Sequence, residues 1–291
     1  MHIGVAFANA GPLAEPANAV ACARAAEAAG IESLWTVEHV LVPSGYSSTY
    51  PYDPSGRMPG GESFDLPDPL IWMAYVAAAT ERVRLATGIL ILPQRNPAIV
   101  AKEVATLHLM SGGRTILGVG AGWLEEEFDA LGVPFAERGR RLDSSIAAMR
   151  ALWSEEKATV EDDFVSFRDC ISLPKPPGGT VPIHIGGHSE AAARRAGRLG
   201  DGFFPGRGSH EELAHLLATM RTAAQKAGRD PDAIEVTVSG AGLFGSDPVG
   251  EAEALRALGA SRVMIAPLAF DAAGAEEAYS GFADRVLSQI T

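Results

Sequence analysis

Short apolar runs, many of them β-branched, recur along the chain between glycines, prolines and polar residues. They begin near His2 (HIGVAFA), Ser33 (SLWTVEH), Arg84 (RLATGILIL), Thr115 (TILGVGAG), Pro182 (PIHIGG), Gly202 (GFFPG), Ile234 (IEVTVSGAG) and Arg262 (RVMIAP). Stretches with helical period and helix punctuation separate them: EPANAVACARAAEAAG closed by Gly30, NPAIVAKEVATLHLMSGG closed by Gly112, SEAAARRAGRLG opened by Ser189. Successive strand starts lie 31, 51, 31, 67, 20, 32 and 28 residues apart, mostly the length of one βα unit, which predicts a parallel sheet. Eight such units predict an α/β fold of the closed (β/α)8 TIM barrel type. An open doubly wound sheet would carry a glycine fingerprint in its first unit, and FANAGPLAEP has none. With no linker or low-complexity tract, residues 1–291 are expected to form one domain.

Two intervals are long. Residues 40–67 (VLVPSGYSSTYPYDPSGRMPGGESFDLP) follow the second strand and so insert on the carboxyl face, where barrel enzymes keep their chemistry; a substrate lid is expected. Residues 155–181 follow a helix instead, and ATVEDDFVSF within them alternates like a small peripheral hairpin.

Composition narrows the partners. The 47% hydrophobic content of 291 residues supports a sizeable core, and a net charge of −12 without a basic block argues against nucleic acid and anionic membrane surfaces. A small-molecule substrate is expected. No Lys or Arg precedes Arg24 and no apolar run approaches the ~18 residues of a span, so the expectation is a cytoplasmic protein. Cys22 and Cys170, far apart, suggest neither a disulfide framework nor a thiolate metal site.

Glycine makes up 32 of 291 residues, about 11% against an average near 7%, and its placement matters more than its number. Gly118, Gly120 and Gly122 alternate in GVGAGW and would strip one face of strand four, so that something flat can approach the backbone. In HIGGHSE, the amides of Gly187, His188 and Ser189 open a helix and could cradle a phosphate; an ordinary Ser N-cap is the competing reading. His184 reads as a satisfied core histidine, and Arg207 as a loop cation that could meet an anionic tail.

An acid and a histidine, Glu38 and His39, end the second strand. Burying either unpaired costs several kcal/mol, so they mark an opening, the mouth of the barrel, where an imidazole can donate, accept or shuttle a proton. A helix cap or loop hydrogen bond competes for each. The strand ends supply too few acids for a metal site. Trp35, Tyr50, Tyr52 and Phe64 are candidates to shape an apolar substrate pocket.

The segments SLWTVEHV, TGILILPQRNPAIVAKEVATLHLMSGGR, LGVGAGWLEEEFDALGV, ERGRRLDSSIAAMRALW and PIHIGGHSEAAARRAGRLGDGFFP, in this order and spacing, resemble the luciferase-like monooxygenase superfamily, and within it the branch of oxidoreductases dependent on the deazaflavin coenzyme F420. The resemblance implies a (β/α)8 barrel with the deazaflavin in its carboxyl mouth and a non-proline cis peptide, Gly88–Ile89, against the ring's back face. It implies further that His39 contacts the cofactor or stabilises charge during hydride transfer, with Glu38 as a second catalytic acid. Gly120, Ala121 and Gly122 would line the cofactor pocket, and Gly186, Gly187, His188 and Ser189 would hold its phosphate. FMN with oxygen chemistry is the alternative cofactor; a metal-dependent isomerase and a non-catalytic cofactor carrier are further rivals. Relatives of this type often dimerise through helices beside strands two and three, where AIVAKEVATLHLM is apolar.

Overall fold

The computed structural model describes residues 1–206 and 208–290. In chain order its strands are β1 (His2–Val5), β2 (Ser33–Thr36), β3 (Arg84–Thr87), the two-residue β4 (Leu90–Ile91), β5 (Thr115–Gly120), β6 (Ala158–Glu161), β7 (Ser166–Cys170), β8 (Ile183–Gly186), β9 (Gly202–Gly206), β10 (Glu235–Ser239) and β11 (Arg262–Ile265). The helices are α1 (Pro16–Ala28), α2 (Pro69–Ala77), α3 (Pro97–Met110), α4 (Glu125–Ala130), α5 (Arg138–Ser154), α6 (Glu190–Leu199), α7 (His210–Lys226), α8 (Pro248–Leu258) and α9 (Ala275–Phe282), with further helical turns up to Ile290.

The large sheet is parallel at every pairing and runs β1-β2-β3-β5-β8-β9-β10-β11. It closes where β11 returns to β1, with His2 opposite Arg262. The result is the eight-stranded barrel that the βα rhythm predicts. Six strands start at the expected residue, β8 and β10 one residue later. The hairpin β6–β7 stands apart as an antiparallel pair, Val160 facing Phe167.

Helices cover the barrel outside and side chains fill it inside, so β2 and β11 are buried at every residue. Local chemistry sets the helix ends: Asp68, Asn96 and Ser189 each accept first-turn amides of α2, α3 and α6, bonds worth about 1 kcal/mol apiece. Gly30 and Gly112, at φ 86° and 72°, turn the chain out of α1 and α3.

Inside the barrel one large side chain dominates. Trp35 is 1% exposed and sits with Ala86, Ile116 and Met264. A Cβ on Gly4 or Gly88 would come within 3.0 Å of its indole, and one on Gly118 within 3.5 Å. These glycines make room for a tryptophan, and Trp35, expected to shape the substrate pocket, lies beneath it in the core.

At the amino end of the barrel, Arg262 (1% exposed) binds both oxygens of Glu32 at 2.7 and 2.8 Å, Glu235 at 3.1 Å and Thr237 at 3.2 Å. His184 is buried beside them with Nε2 3.5 Å from Glu235 and, among the described residues, no partner for Nδ1, so the expected core histidine is buried but only half satisfied. Residues 40–67 contain no strand or helix and fold over the carboxyl mouth. Among the described residues no helix is long and apolar enough to cross a membrane.

Candidate active site

Beyond Thr36 the chain leaves β2 through Val37, Glu38 and His39, and all three line a cavity of about 850 Å³ in the mouth. His39 Nδ1 donates to Glu127 Oε2 at 2.9 Å. The other oxygen of Glu127 accepts the amides of Val40 at 2.7 Å and Leu41 at 3.3 Å. Glu127 is completely buried. A buried carboxylate that only accepts fixes the ring proton on Nδ1, and Nε2, with no partner among the described residues, is left for a bound molecule. The Trp123 ring meets the imidazole edge-on at 5.6 Å and limits its rotation.

Glu127 was not foreseen. LEEEFDAL looks like a solvated acidic turn, but Leu124, Glu127 and Phe128 are spaced one helical turn apart, and all three are buried. An acid on the apolar stripe of α4 was the available sign. Its neighbour Glu126 faces the insertion, accepting the amides of Ser47 at 2.7 Å and Ser48 at 3.0 Å. Two consecutive acids thus hold the histidine and the lid.

Glu38, expected as a second catalytic acid, has both oxygens engaged. One accepts the Ile91 amide at 2.5 Å and the other pairs with Arg95, which also binds Asp68 at 2.7 Å. Burial pushes its carboxyl up, against the pull of the Arg95 charge and the Ile91 amide. Its geometry ties the ends of β2 and β4 together rather than presenting a proton.

The Gly88–Ile89 peptide is cis. The Ile89 side chain lies over bare backbone: a Cβ on Gly120 would meet it at 2.8 Å, and one on Gly186 would collide with it as well. The glycine face at the end of β5 is therefore filled by Ile89, which forms a shelf lining the cavity together with Gly120, Ala121 and Gly122. Gly122, at φ 81°, also packs on Phe128 and Ile91.

The expected three-amide cradle is altered. Gly187 N donates to the Phe204 carbonyl at 3.0 Å, and the His188 backbone lies beside the Tyr52 phenol. Ser189 Oγ caps α6 by accepting Ala192 N at 3.2 Å. The helix opening still faces the cavity through Ser189 and Ala191, so its dipole, and not the Gly187 amide, is what an anion would meet. Gly186, Gly187 and His188 remain in the cavity wall. Tyr52 carries the lid across the mouth onto the loop after β8, and Tyr46 and Tyr50 meet Trp123 edge-on at 5.5 and 5.2 Å. Arg207 lies outside the described residues. Among those described, no three His, Cys, Asp or Glu side chains converge as a metal site.

A bare glycine floor topped by a hydrophobic shelf, an open imidazole nitrogen and a helix N-terminus at one rim fit a flat ring carrying a phosphate-bearing tail. A family model described as luciferase-like monooxygenase matches residues 1–285. An uncharacterized protein of Mycobacterium tuberculosis is 35% identical over 207 residues, 71% of this chain and 71% of its own. An F420-dependent glucose-6-phosphate dehydrogenase of Kineococcus radiotolerans is 32% identical over 237 residues, 79% of this chain and 65% of its own length. Among solved structures, the coenzyme F420 dependent tetrahydromethanopterin reductase of Methanopyrus kandleri shares the fold with a TM-score of 0.78 at 16% identity, covering 100% of this chain and 99% of that one. An FMN-bound type II Baeyer-Villiger monooxygenase component of Pseudomonas putida does so with a TM-score of 0.64 at 21% identity, over 81% of this chain and 66% of that one.

Proposed function

The chain belongs to the luciferase-like monooxygenase family, and on that premise we propose that it is an oxidoreductase transferring a hydride between the deazaflavin coenzyme F420 and a small organic substrate. The observation that carries the reading is the His39–Glu127 pair, whose free Nε2 belongs to a residue lining a cavity shelved by Ile89. The sequence relative named as F420-dependent supports the choice of cofactor.

When bound, the deazaflavin supplies or takes up the hydride; the protein supplies orientation and charge. Gly120, Ala121, Gly122 and Ile89 would seat the ring, and the opening of α6 at Gly186 to Ser189 would hold the phosphate. His39 gives or takes the accompanying proton at Nε2, while Glu127 keeps Nδ1 protonated and stabilises the imidazolium. Glu38 acts as a positioning residue, fixing Ile91 and Arg95 behind the shelf.

Two finer features complete the proposal. The free cysteines Cys22 and Cys170 suit a reducing compartment, taken here as the cytosol. Two copies pair through α2 and α3, whose outer faces expose Ile71, Tyr75, Ile99 and Met110; Ile71→Glu is expected to shift the sedimentation coefficient to that of a monomer.

Titrating the purified protein with F420 and with FMN, while following oxygen, tests the central reading. Tighter F420 binding without oxygen uptake is expected. Tighter FMN binding with oxygen uptake would replace the proposal by an FMN-dependent monooxygenase.

A further inference from the structure

The mouth is chemically divided. In the closed order of strands, β8 lies four places from β1 in either direction, so the opening of α6 and the residues following β1 face each other across the mouth. Among the described residues, the Lys and Arg side chains that line the cavity are Arg138 and Arg195. Arg195 is a residue of α6 and is paired with Asp143, and its second nitrogen donates to the Gly139 carbonyl at 3.1 Å, so Arg138 and Gly139 lie against the same helix. Arg138 in turn lies 3.7 Å over the Phe135 ring and donates to the Phe135 carbonyl. The cationic side of the cavity is thus the α6 side, where the phosphate of a cofactor is proposed to sit.

Among the described residues no Lys or Arg lines the cavity on the β1 side. Phe7, Met58, Phe64 and Leu66 line it, with Phe7 43% and Phe64 39% exposed despite their apolar rings. Phe64 lies flat on Gly11 and Gly60, where added Cβ atoms would meet its ring at 2.8 and 2.7 Å. Phe7 holds φ 55°, a left-handed conformation that a bulky residue rarely adopts. Such strain persists only where the surroundings enforce it and concentrates at ligand clamps. The lid adds an acid to the cavity lining, Glu62, which accepts the Gly45 amide and the Ser44 hydroxyl at 2.9 Å each and has the Arg57 charge nearby. Those bonds hold its carboxyl below the usual carboxylate range, so it is an anion at neutral pH.

We propose that the wall formed by Phe7, Met58, Phe64 and Leu66 is the substrate subsite and takes an uncharged, largely apolar carbonyl compound or the corresponding alcohol, not a phosphorylated or carboxylated one. The assignment rests on the hydride-transfer reading above. Among the described residues no Lys or Arg lines this wall to receive an anion, while an apolar molecule covers two half-exposed rings. In the direction of reduction the carbonyl carbon would accept the hydride, with its two electrons, from reduced deazaflavin as the C=O π bond breaks, and the oxygen would take the Nε2 proton of the His39 imidazolium, leaving the ring neutral. Oxidation of the alcohol reverses both transfers.

The experiment uses protein first shown to bind F420 by titration, then measures acetophenone and glucose 6-phosphate binding by calorimetry, which needs no turnover. Acetophenone is expected to bind and glucose 6-phosphate to give no heat. Phe7→Gly, which suits the left-handed backbone and removes the ring, and Phe64→Ala should each weaken acetophenone at least about fivefold, with Phe64→Leu restoring most of the loss. Binding of glucose 6-phosphate, absence of acetophenone binding, or acetophenone affinity unchanged in both ring-removing variants would overturn the subsite. Failure of the first titration with F420 would instead remove the function on which the subsite rests.

Discussion

The barrel carries a histidine beside an acid and a tryptophan at each end, and the two do opposite things. At the mouth, His39 lies 2.9 Å from the buried Glu127 and edge-on to Trp123. At the floor, His184 lies 3.5 Å from Glu235 with its ring 5.8 Å from Trp35. The difference is in the surroundings. His39 has a carboxylate at one nitrogen and a cavity at the other. Burial pushes His184 down to about 3, with Arg262 and Arg84 adding repulsion, so it stays neutral. Proton chemistry needs an acid partner on one side of the ring and an opening on the other; residue type alone supplies neither.

The largest test of this contrast removes the mouth histidine. His39→Ala should lower kcat/KM by about 10² to 10⁴ while F420 affinity changes only a few-fold, as measured by steady-state kinetics and titration. Glu127→Gln should retain acceptor bonds to Val40 and Leu41 but present an amide to Nδ1, favouring the wrong tautomer; a loss of at least about tenfold in kcat is expected. An unchanged kcat would reduce Glu127 to a structural role.

Next in size is the brace behind the shelf. Arg95→Ala leaves Glu38 buried without its counter-charge and should destabilise the fold by about 3 kcal/mol in urea unfolding. An Arg95→Ala protein as stable as the parent would show the brace to be dispensable.

The floor makes the third test, through pH. An unfolded chain protonates His184 near pH 6.5, whereas the fold does so only near 3. Stability therefore falls as pH drops through this window, by about 3 kcal/mol at pH 4. Glu32 adds to the loss below its ordinary range: against burial, the hydrogen bonds and charge of Arg262 hold it down to about 2. Denaturation midpoints of His184→Asn should lack the part between pH 6.5 and 4.5, and midpoints as steep as the parent's in that interval would contradict the assignment.

The smallest effect is expected at the rim. Phe7→Gly relieves backbone strain of about 1 kcal/mol and loosens the unfolded chain by a similar amount. Its melting temperature should stay within a few degrees of the parent's, separating the ring's binding role from folding.

Barrel strands were legible because short apolar runs between glycines at βα spacing have few other readings, and the strand starts agree to within a residue. His39 was legible because a polar residue ending a buried strand must face an opening. Glu127 and Arg95 were not, since an acid among three acids and an arginine in a loop look solvated until distant segments close over them. The glycines of β5 were read correctly as making space, but not for whom: Trp35 and Ile89 fill it before any ligand does.

Periodicity and punctuation, which act over a few residues, were enough to place the eight barrel strands and three of the helices between them. Which charges are partnered, which nitrogen of a histidine stays open and which wall of the mouth is apolar depend on contacts such as His39 with Glu127, 88 residues apart in the chain. Those were decided only when closing the sheet brought its strand ends into one mouth, where burial makes each unpaired charge costly.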